Sequence, residues 1–453
     1  MFEPPDANGR PSAAASRQRR ARSKLVYDTI MPSLSSQLAV VVLAAAIGVC
    51  AADPASAQSD RIRRILRETP LIDGHNDVPE QYLDRVKDQI DKIDLASDTS
   101  RLTPPMHTDI PRLRAGGVGG QFWSVYVSPQ LPGAEAVQAT IDQIDLVKRL
   151  VQRYPETFEM ASTAADIERI HKAGKIASLI GLEGGHSINN SLATLREMYR
   201  AGARYMTLTH WINNRWADAA TAAPEHGGLT AFGVMVVLEM NRLGMLVDLS
   251  HVSEQTMNKV LDVAKAPIIF SHSSARAIDG HPRNVPDAVL RRLPANGGVV
   301  MVNFSPDFVS EAVREYEAAL AAEASRLKEL MPGDPAGAEK ALAAWKAAHP
   351  VPSATLRQVA DHIDYIRKVA GIDHVGLGSD FDGISSVPSG LEDVSRYPDL
   401  LDELARRGYT DDDLRKVAGL NVLRVLRQAE AAAARLQAET RPNDARIEDV
   451  DKR

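Results

Sequence analysis

Eight short apolar segments, separated by stretches with helical periodicity, most constrain how this chain can fold. The segment at 176–186 is a run of β-branched and aliphatic residues, as in a strand buried on both faces, and the others are shorter apolar runs. The eight segments cover residues 71–77, 118–127, 176–186, 205–210, 245–251, 267–273, 298–304 and 374–380. Strands that alternate with helices form parallel sheets, so the pattern predicts an α/β fold, a (β/α)₈ TIM-type barrel.

The intervening stretches predict the helices of the barrel and one insertion. Helices are expected at 60–68, 134–154 and 230–243, the last closed by Gly244, and Ser253 is expected to cap the helix that follows. Residues 311–347, rich in Ala, Glu and Lys, predict a helical insertion between strands 7 and 8.

Residues 1–57 predict an export signal. A cluster of basic residues, Arg17 to Lys24, precedes an apolar run that ends at Cys50, and Ala55-Ser-Ala57 then fits a cleavage site after Ala57. An uncleaved membrane anchor is the alternative, and translation starting at Met31 would shorten the unusually long basic region. A lipid on Cys50 is disfavoured by Val49 before it. We therefore expect a periplasmic or secreted protein.

Composition limits the partners and the chemistry. The net charge of −6 over 453 residues argues against nucleic acid as a partner. The single cysteine lies within the predicted signal, so any metal must be held by His, Asp and Glu. We expect a catalytic domain over 58–430 and a charged, Ala-rich tail over 431–453 that frays.

Polar residues stand at the ends of the apolar segments. They are His75, Asp77, Glu183, His210, His251, His272 and Asp380. Because the active site of a TIM barrel lies at the carboxyl ends of its strands, these side chains are expected to meet at one mouth. Imidazole and carboxylate groups are ligands that zinc accepts, and there are enough of them for two ions.

In this interpretation Glu183 bridges two Zn²⁺ ions, with His75 and Asp77 on one and His251 and His272 on the other. Metal binding lowers the pKa of water to about 7, so a bridging hydroxide would attack a carbonyl or phosphoryl centre.

Several assignments stay open at this level. Asp77 fits a helix cap as well as a ligand, and His251 and His272 singly fit satisfied core histidines. His210 fits a metal ligand or a group that polarises a carbonyl. Asp380 fits a general acid or base, with Asp382 as a rival.

Arg283 is open in the same way. It could clamp a substrate carboxylate in bidentate fashion, or it could be an ordinary surface arginine.

Several ordered motifs together resemble the membrane (renal-type) dipeptidases, binuclear zinc peptidases of the amidohydrolase-like barrel class. The resemblance runs from about Leu71 to Leu426. The motifs are Ile72-Asp-Gly-His-Asn-Asp77, Gln121–Tyr126, Gly181–Gly185, Leu208–His210, Asp248-Leu-Ser-His251, Phe270–Ser274, Arg283–Asp287, Gly378–Gly383 and Gly390–Asp399.

The resemblance implies roles for these positions. His75, Asp77 and Glu183 would bind one zinc, and Glu183, His251 and His272 the other. The substrate would be held by Tyr126, His210, Arg283 and Asp380, with His210 at the scissile carbonyl, Arg283 on the C-terminal carboxylate and Asp380 handling protons.

The resemblance also implies a homodimer that cleaves dipeptides and tolerates a D-residue on the C-terminal side. No cysteine is present for the intersubunit disulfide of mammalian relatives, and no lipid anchor of the mammalian kind is indicated after residue 430. Two other hypotheses remain: a hydrolase of another amide or lactone, or tailoring enzyme for a secreted peptide metabolite, and a non-catalytic periplasmic binding protein.

Overall fold

Nine parallel strands form the centre of the computed structural model, which describes residues 54–452 and, of those, the side chains of 58–452. The predicted export signal falls outside the described residues except for Pro54–Ala57, and Cys50 lies outside them too. The strands are β1 Leu71–Asn76, β2 Val118–Tyr126, β3 Phe158–Met160, β4 Ile176–Glu183, β5 Ala203–Thr207, β6 Leu246–Asp248, β7 Ile269–Phe270, β8 Val299–Val302 and β9 Val375–Leu377.

Eight of these strands close into a barrel. The neighbours run in the order β2, β1, β9, β8, β7, β6, β5, β4, and β4 pairs again with β2. The remaining strand, β3, pairs only with residues 176–178 of β4, ahead of the residues of β4 that pair with β5. The predicted (β/α)₈ barrel is confirmed. The strand at 158–160 was not predicted, because three residues carry too little periodicity.

Helices surround the barrel. They are α1 Pro54–Glu68, α2 Val78–Val86, α3 Ile110–Ala115, α4 Gly133–Arg153, α5 Ala164–Lys172, α6 Leu192–Ala201, α7 Ala231–Leu243, α8 Glu254–Val263, α9 Asp287–Leu290, α10 Leu293–Asn296, α11 Pro306–Val309, α12 Glu311–Leu330, α13 Pro335–Ala348, α14 Leu356–Ala370, α15 Tyr397–Arg406, α16 Asp411–Arg415, α17 Asn421–Glu439 and α18 Ile447–Val450. A single π-helical turn, Lys416–Leu420, joins α16 to α17. No helix within residues 54–452 is long and apolar enough to cross a membrane.

Local sequence signals set several helix ends. The Ser253 hydroxyl accepts from the amide of Thr256 at the start of α8, and Gly244 ends α7 in the left-handed conformation. The predicted insertion is α12 and α13, between the seventh and eighth barrel strands. The crossover helix α14 begins with a capping box of Thr355 and Gln358, a signal that the sequence carries.

The barrel interior beneath the mouth is apolar. Residues from seven barrel strands pack into one buried cluster: Ile72, Phe122, Leu179, Tyr205, Leu246, Ile269 and Met301. Every residue of β4 is buried, as expected for a strand covered on both faces. This core gives the strand ends a rigid base.

The expectation of a frayed tail from residue 431 is wrong. Helix α17 continues to Glu439, and Ile447 in α18 is 2% exposed. Asp451 accepts hydrogen bonds from the hydroxyl of Thr230 and from the amide of Phe232, at the start of α7. The segment is mostly charged, so its composition does not indicate the few residues that pack it against the rest of the domain.

Replacing Ile447 tests this docking. Ile447→Ala is expected to lower the free energy of unfolding by about 2–5 kcal/mol, because a buried isoleucine side chain is lost. Val351→Ala, at a side chain that is 63% exposed, is the control and should change it little. Urea unfolding of the two variants measures the difference. Equal midpoints would show that the segment does not pack on the barrel.

Candidate metal centre

The predicted site residues meet in one cavity of about 400 Å³ at the carboxyl ends of the strands. All but Arg283 lie at a strand end or within three residues of it, and Arg283 lies on the connection that follows β7. The cavity lining includes Asp77, Tyr126, Glu183, His210, His251, His272, Arg283 and Asp380. His75 is fully buried beneath them.

One oxygen atom of Glu183 is the point where four imidazoles converge. Its Oε1 lies 3.0 Å from Nε2 of His251, 3.5 Å from Nε2 of His272, 3.5 Å from Nε2 of His210 and 3.6 Å from Nε2 of His75. The other oxygen, Oε2, accepts a hydrogen bond from the Ser124 hydroxyl at 3.2 Å. Glu183 therefore touches both halves of the site.

The glycine after Glu183 makes this position accessible. Gly184 has φ of 119°, which L-residues rarely adopt, and a Cβ there would lie 2.4 Å from Cε1 of His186. The chain can thus turn away sharply at the strand end.

The donor set fits divalent cations. Three groups of donors lie within 4.8 Å of one another: His75, Glu183 and His272; Glu183, His210 and His251; and His75, Asp77 and Asp380. Several buried donor atoms have no hydrogen-bond partner among the described residues: His75 Nε2, both carboxylate oxygens of Asp77, His210 Nδ1 and His251 Nδ1. Buried polar atoms without partners are rare, and ion ligation would account for those of His75 and Asp77.

Electrostatics favour the ligating forms of three of these groups, His251, His272 and Glu183. Burial lowers the pKa of His251 and of His272 well below the usual range, so both imidazoles are neutral. Burial raises the pKa of Glu183, but His75 and His210 outweigh it and bring the pKa well below its usual range. Neutral imidazole and ionised carboxylate are the forms that bind metal.

A buried relay orients His272. Its Nδ1 lies 2.7 Å from the hydroxyl of Ser271, and that hydroxyl donates to Oδ2 of Asp248 at 2.6 Å. Because the hydroxyl proton is used by Asp248, Nδ1 of His272 must be the donor, which leaves the Nε2 lone pair for an ion. Asp248 is itself held by Thr207 at 2.6 Å and by two backbone amides.

A tyrosine holds the imidazole ring of His75 in place. The Tyr205 hydroxyl lies 2.8 Å from Nδ1 of His75, so Nε2 faces the cavity. Gly181 leaves room for the tyrosine ring, since a Cβ there would lie 1.9 Å from Cζ of Tyr205. A glycine in β4 thus makes room for the tyrosine that orients His75 on β1.

Three non-glycine residues near the mouth have left-handed backbones. They are His251 with φ of 67°, Asp380 with φ of 66° and Asp382 with φ of 67°. Such conformations cost about 1–3 kcal/mol each and cluster at functional sites. Here they turn two cavity side chains inward at the ends of short strands.

Asp380 and its rival Asp382 have different surroundings. Asp380 lines the cavity, where Oδ2 accepts from Nδ2 of Asn303 at 2.9 Å. Burial raises the pKa of Asp380 to about 8, and the charges of Asp77 and Glu183 add to that effect. Asp382 instead accepts from the amide of His107 at 2.7 Å and does not line the cavity.

Arg283 is a buried cation without an acidic partner. Its side chain is 1% exposed and makes two hydrogen bonds, to the Ser273 hydroxyl at 3.3 Å and the His272 carbonyl at 3.4 Å. No carboxylate within residues 58–452 forms an ion pair with it, and Nε has no partner there. Burial lowers its pKa to about 10, so it stays charged. A buried, unpaired guanidinium facing a cavity suits an anionic ligand.

The two remaining predicted residues, Tyr126 and His210, lie side by side on the cavity wall. Tyr126 ends β2, and its ring centroid is 4.8 Å from that of His210. The centroid of His210 is also 4.3 Å from that of His251. His210 thus stands between the tyrosine and the histidine cluster.

Comparison with known proteins agrees with this geometry. Residues 59–440 match the family model described as membrane dipeptidase, peptidase family M19. The chain belongs to the membrane dipeptidase family. The enzyme is therefore a metallo-dipeptidase, which confirms that part of the prediction.

Solved structures share the fold. The probable dipeptidase PvdM from Pseudomonas aeruginosa superposes with a TM-score of 0.71 at 25% identity, over 84% of this chain and 100% of that one. The metallopeptidase described as dipeptidase AC gives 0.65 at 25%, over 80% and 99%. A metallo peptidase from Rhodobacter sphaeroides, solved with a phosphinate mimic of the dipeptide L-Ala-D-Ala, gives 0.65 at 23%, over 80% and 99%.

The sequence alone does not single out the residues that orient the site. Asp248 and Ser271 occur within the motifs, and Tyr205 and Asn303 lie in predicted strands. A weak signal existed, because Asp248, Ser271 and Asn303 are polar residues inside or just after apolar segments. Tyr205 carried none, since tyrosine is common in strands.

Asp248 of this dipeptidase should be needed for metal affinity. Asp248→Asn is expected to weaken metal binding about 10- to 100-fold, because the amide offers one acceptor oxygen in place of two and removes the charge that holds the Ser271–His272 relay. Competition with a chelating dye measures the dissociation constant. Asp91→Asn, at a side chain that is 91% exposed, is the matched control. Unchanged affinity in the Asp248 variant would exclude the relay.

Proposed function

We propose that this metallo-dipeptidase is a two-zinc enzyme that hydrolyses dipeptides with a free C-terminal carboxylate, including those with a D-residue at that position. The proposal rests on one observation above others: a cavity that joins the cluster around Glu183 to the buried, unpaired Arg283.

The proposed ligand sets share Glu183. His75 and Asp77 would hold one ion with Glu183, and His251 and His272 the other. Zinc is the proposed metal because imidazole nitrogen and carboxylate oxygen suit it. When bound, two such ions supply an activated water, present as hydroxide near neutral pH, and polarise the scissile carbonyl.

Arg283 selects substrates by their carboxylate. Its guanidinium lies over the rings of Trp211, at 5.8 Å, and Phe308, at 5.2 Å, which shield it from water. Charge-assisted hydrogen bonds are stronger in such an environment. A carboxylate bound there would fix the C-terminal end of a dipeptide and leave its single peptide bond over the cluster.

His210 and Asp380 would act on the reacting groups. The imidazole of His210, next to the Glu183 cluster, can donate to the carbonyl oxygen as negative charge develops there. Asp380, whose pKa burial raises to about 8, can hold the proton released when the attacking water ionises and pass it to the leaving amine. The peptide C–N bond breaks, the acyl carbon keeps the oxygen of water, and the amine takes the proton.

A substrate panel tests this function. The purified enzyme with added zinc is expected to cleave L-Ala-L-Ala and L-Ala-D-Ala and to lose activity with a chelator. The L,D substrate is included because the Rhodobacter sphaeroides relative was solved with an L-Ala-D-Ala mimic.

Removing the substrate carboxylate and the Arg283 guanidinium in turn tests whether these two groups bind each other. Arg283→Ala should reduce kcat/KM for L-Ala-L-Ala about 10- to 100-fold, because hydrogen bonds to charged groups contribute roughly 1.5–3 kcal/mol each. Replacing the free carboxylate of the substrate by an amide should lower kcat/KM of the wild type by a similar factor. The same change should lower kcat/KM of Arg283→Ala almost no further. Hydrolysis by the wild type with no preference for the free carboxylate would point to another amide or a lactone as the substrate. No chelator-sensitive cleavage of any dipeptide would refute the proposal.

We also propose that the enzyme is exported and forms a homodimer. Support for export comes from the sequence of residues 1–57, and an uncleaved N-terminal segment would tether the enzyme to the membrane. The homodimer rests on the family resemblance. Sedimentation of the protein measures its oligomeric state, and N-terminal sequencing after expression shows whether the export signal is cleaved.

A further inference from the structure

Glu80 is an acidic residue of the cavity that belongs to neither of the proposed ligand sets. It lies in the first turn of α2, directly after the β1 segment that carries His75 and Asp77. Its side chain lines the cavity beside Tyr126 and is partly buried. The carboxylate makes no hydrogen bond and no ion pair with any residue of the described chain, 58–452.

The other carboxylates outside the proposed ligand sets are in a different situation. Asp380 accepts a hydrogen bond from Asn303, and Asp307 accepts one from the hydroxyl of Ser305. Glu317, on α12, lines the rim and is exposed to solvent. Glu80 is thus the partly buried acid on the cavity wall that still needs a cationic partner.

Glu80 and Arg283 stand on different sides of the mouth. Glu80 lies in α2, directly after β1, and Arg283 follows β7. In the closed barrel β1 and β7 are separated by β9 and β8 on one side and by the other four strands on the other. The cluster around Glu183 lies between the two walls. One wall therefore carries a cation without an acidic partner, and another wall carries an acid without a basic partner.

We propose that Glu80 binds an ammonium group on the N-terminal residue of the substrate. A dipeptide is a short zwitterion that spans about 7 Å when extended, with its ammonium and carboxylate at opposite ends. If Arg283 takes the carboxylate, the ammonium end points toward the wall of Glu80. The inference rests on the proposed function and goes beyond it, because it assigns recognition of the N-terminal residue to one side chain.

The cationic group has two sources, the α-ammonium that every free dipeptide carries and the side chain of an N-terminal lysine. Either would satisfy the same carboxylate. Burial, followed by the charge of Asp77, raises the pKa of Glu80 to about 9, so a nearby cation would stabilise the ionised form.

Charge removal at Glu80 tests the proposal. Wild type, Glu80→Gln and Asp84→Asn are assayed, as zinc-loaded full-length enzyme, on L-Ala-L-Ala, N-acetyl-L-Ala-L-Ala and L-Lys-L-Ala. Asp84→Asn is the matched control, since it removes the same charge one turn further along α2 from an exposed residue that does not line the cavity. Metal content is measured for each protein, so that a loss of zinc is recognised.

Glu80→Gln is expected to raise KM about 10-fold with kcat within about 2-fold, at unchanged metal content. A loss on L-Ala-L-Ala that is absent on the N-acetyl substrate assigns the α-ammonium. A loss confined to L-Lys-L-Ala assigns the side chain. Asp84→Asn should match the wild type throughout.

Two results would overturn the inference while leaving the proposed function intact. One is Glu80→Gln behaving like the wild type on all three substrates. The other is an equal loss on all three, the acetylated one included, which would mean a general disturbance of the cavity. Failure of the wild type to cleave any of them would remove the proposed function and this inference together.

Discussion

The carboxylate of Glu183 is the interaction on which the rest of the site depends. A single oxygen atom is within 3.6 Å of imidazole nitrogens from four different strands or their loops. A buried carboxylate with so many nitrogen donors around it is costly unless cations or protons balance the set. Because β4 places this acid at the centre, the histidines of both proposed half-sites are arranged around one shared group.

Rigidity around that centre comes from groups that never face the substrate. Asp248 and Ser271 fix one imidazole, and the Tyr205 hydroxyl fixes another across the barrel. Left-handed backbones at His251 and Asp380 turn these side chains inward, at a conformational cost that the surrounding barrel supports. Hydrogen bonds within the barrel therefore hold these side chains in place, and groups held in this way can stabilise developing charge without reorganising.

The sequence predicted the barrel and the position of every strand-end residue, because parallel strands buried on both faces read as apolar runs that end in polar groups. It did not predict partners that come from distant strands: nothing in the spacing pairs Tyr205 with His75 or identifies Glu80 as facing the same cavity. The sequence alone left the role of Arg283 open, because its burial and its lack of an acidic partner follow from the fold. A frayed C-terminal segment was expected because its composition is polar. Composition does not show that one of its residues, Ile447, is buried against the domain.

Metal stoichiometry in two variants tests the central role of Glu183 most directly. Wild type, Glu183→Ala and Asp380→Ala are loaded with zinc, freed of excess metal by gel filtration and analysed by atomic emission. If Glu183 is the shared ligand, the wild type and Asp380→Ala retain two ions per chain, and Glu183→Ala loses both. Both variants should be inactive, so that metal content and not activity separates them. Retention of two ions by Glu183→Ala would contradict the account.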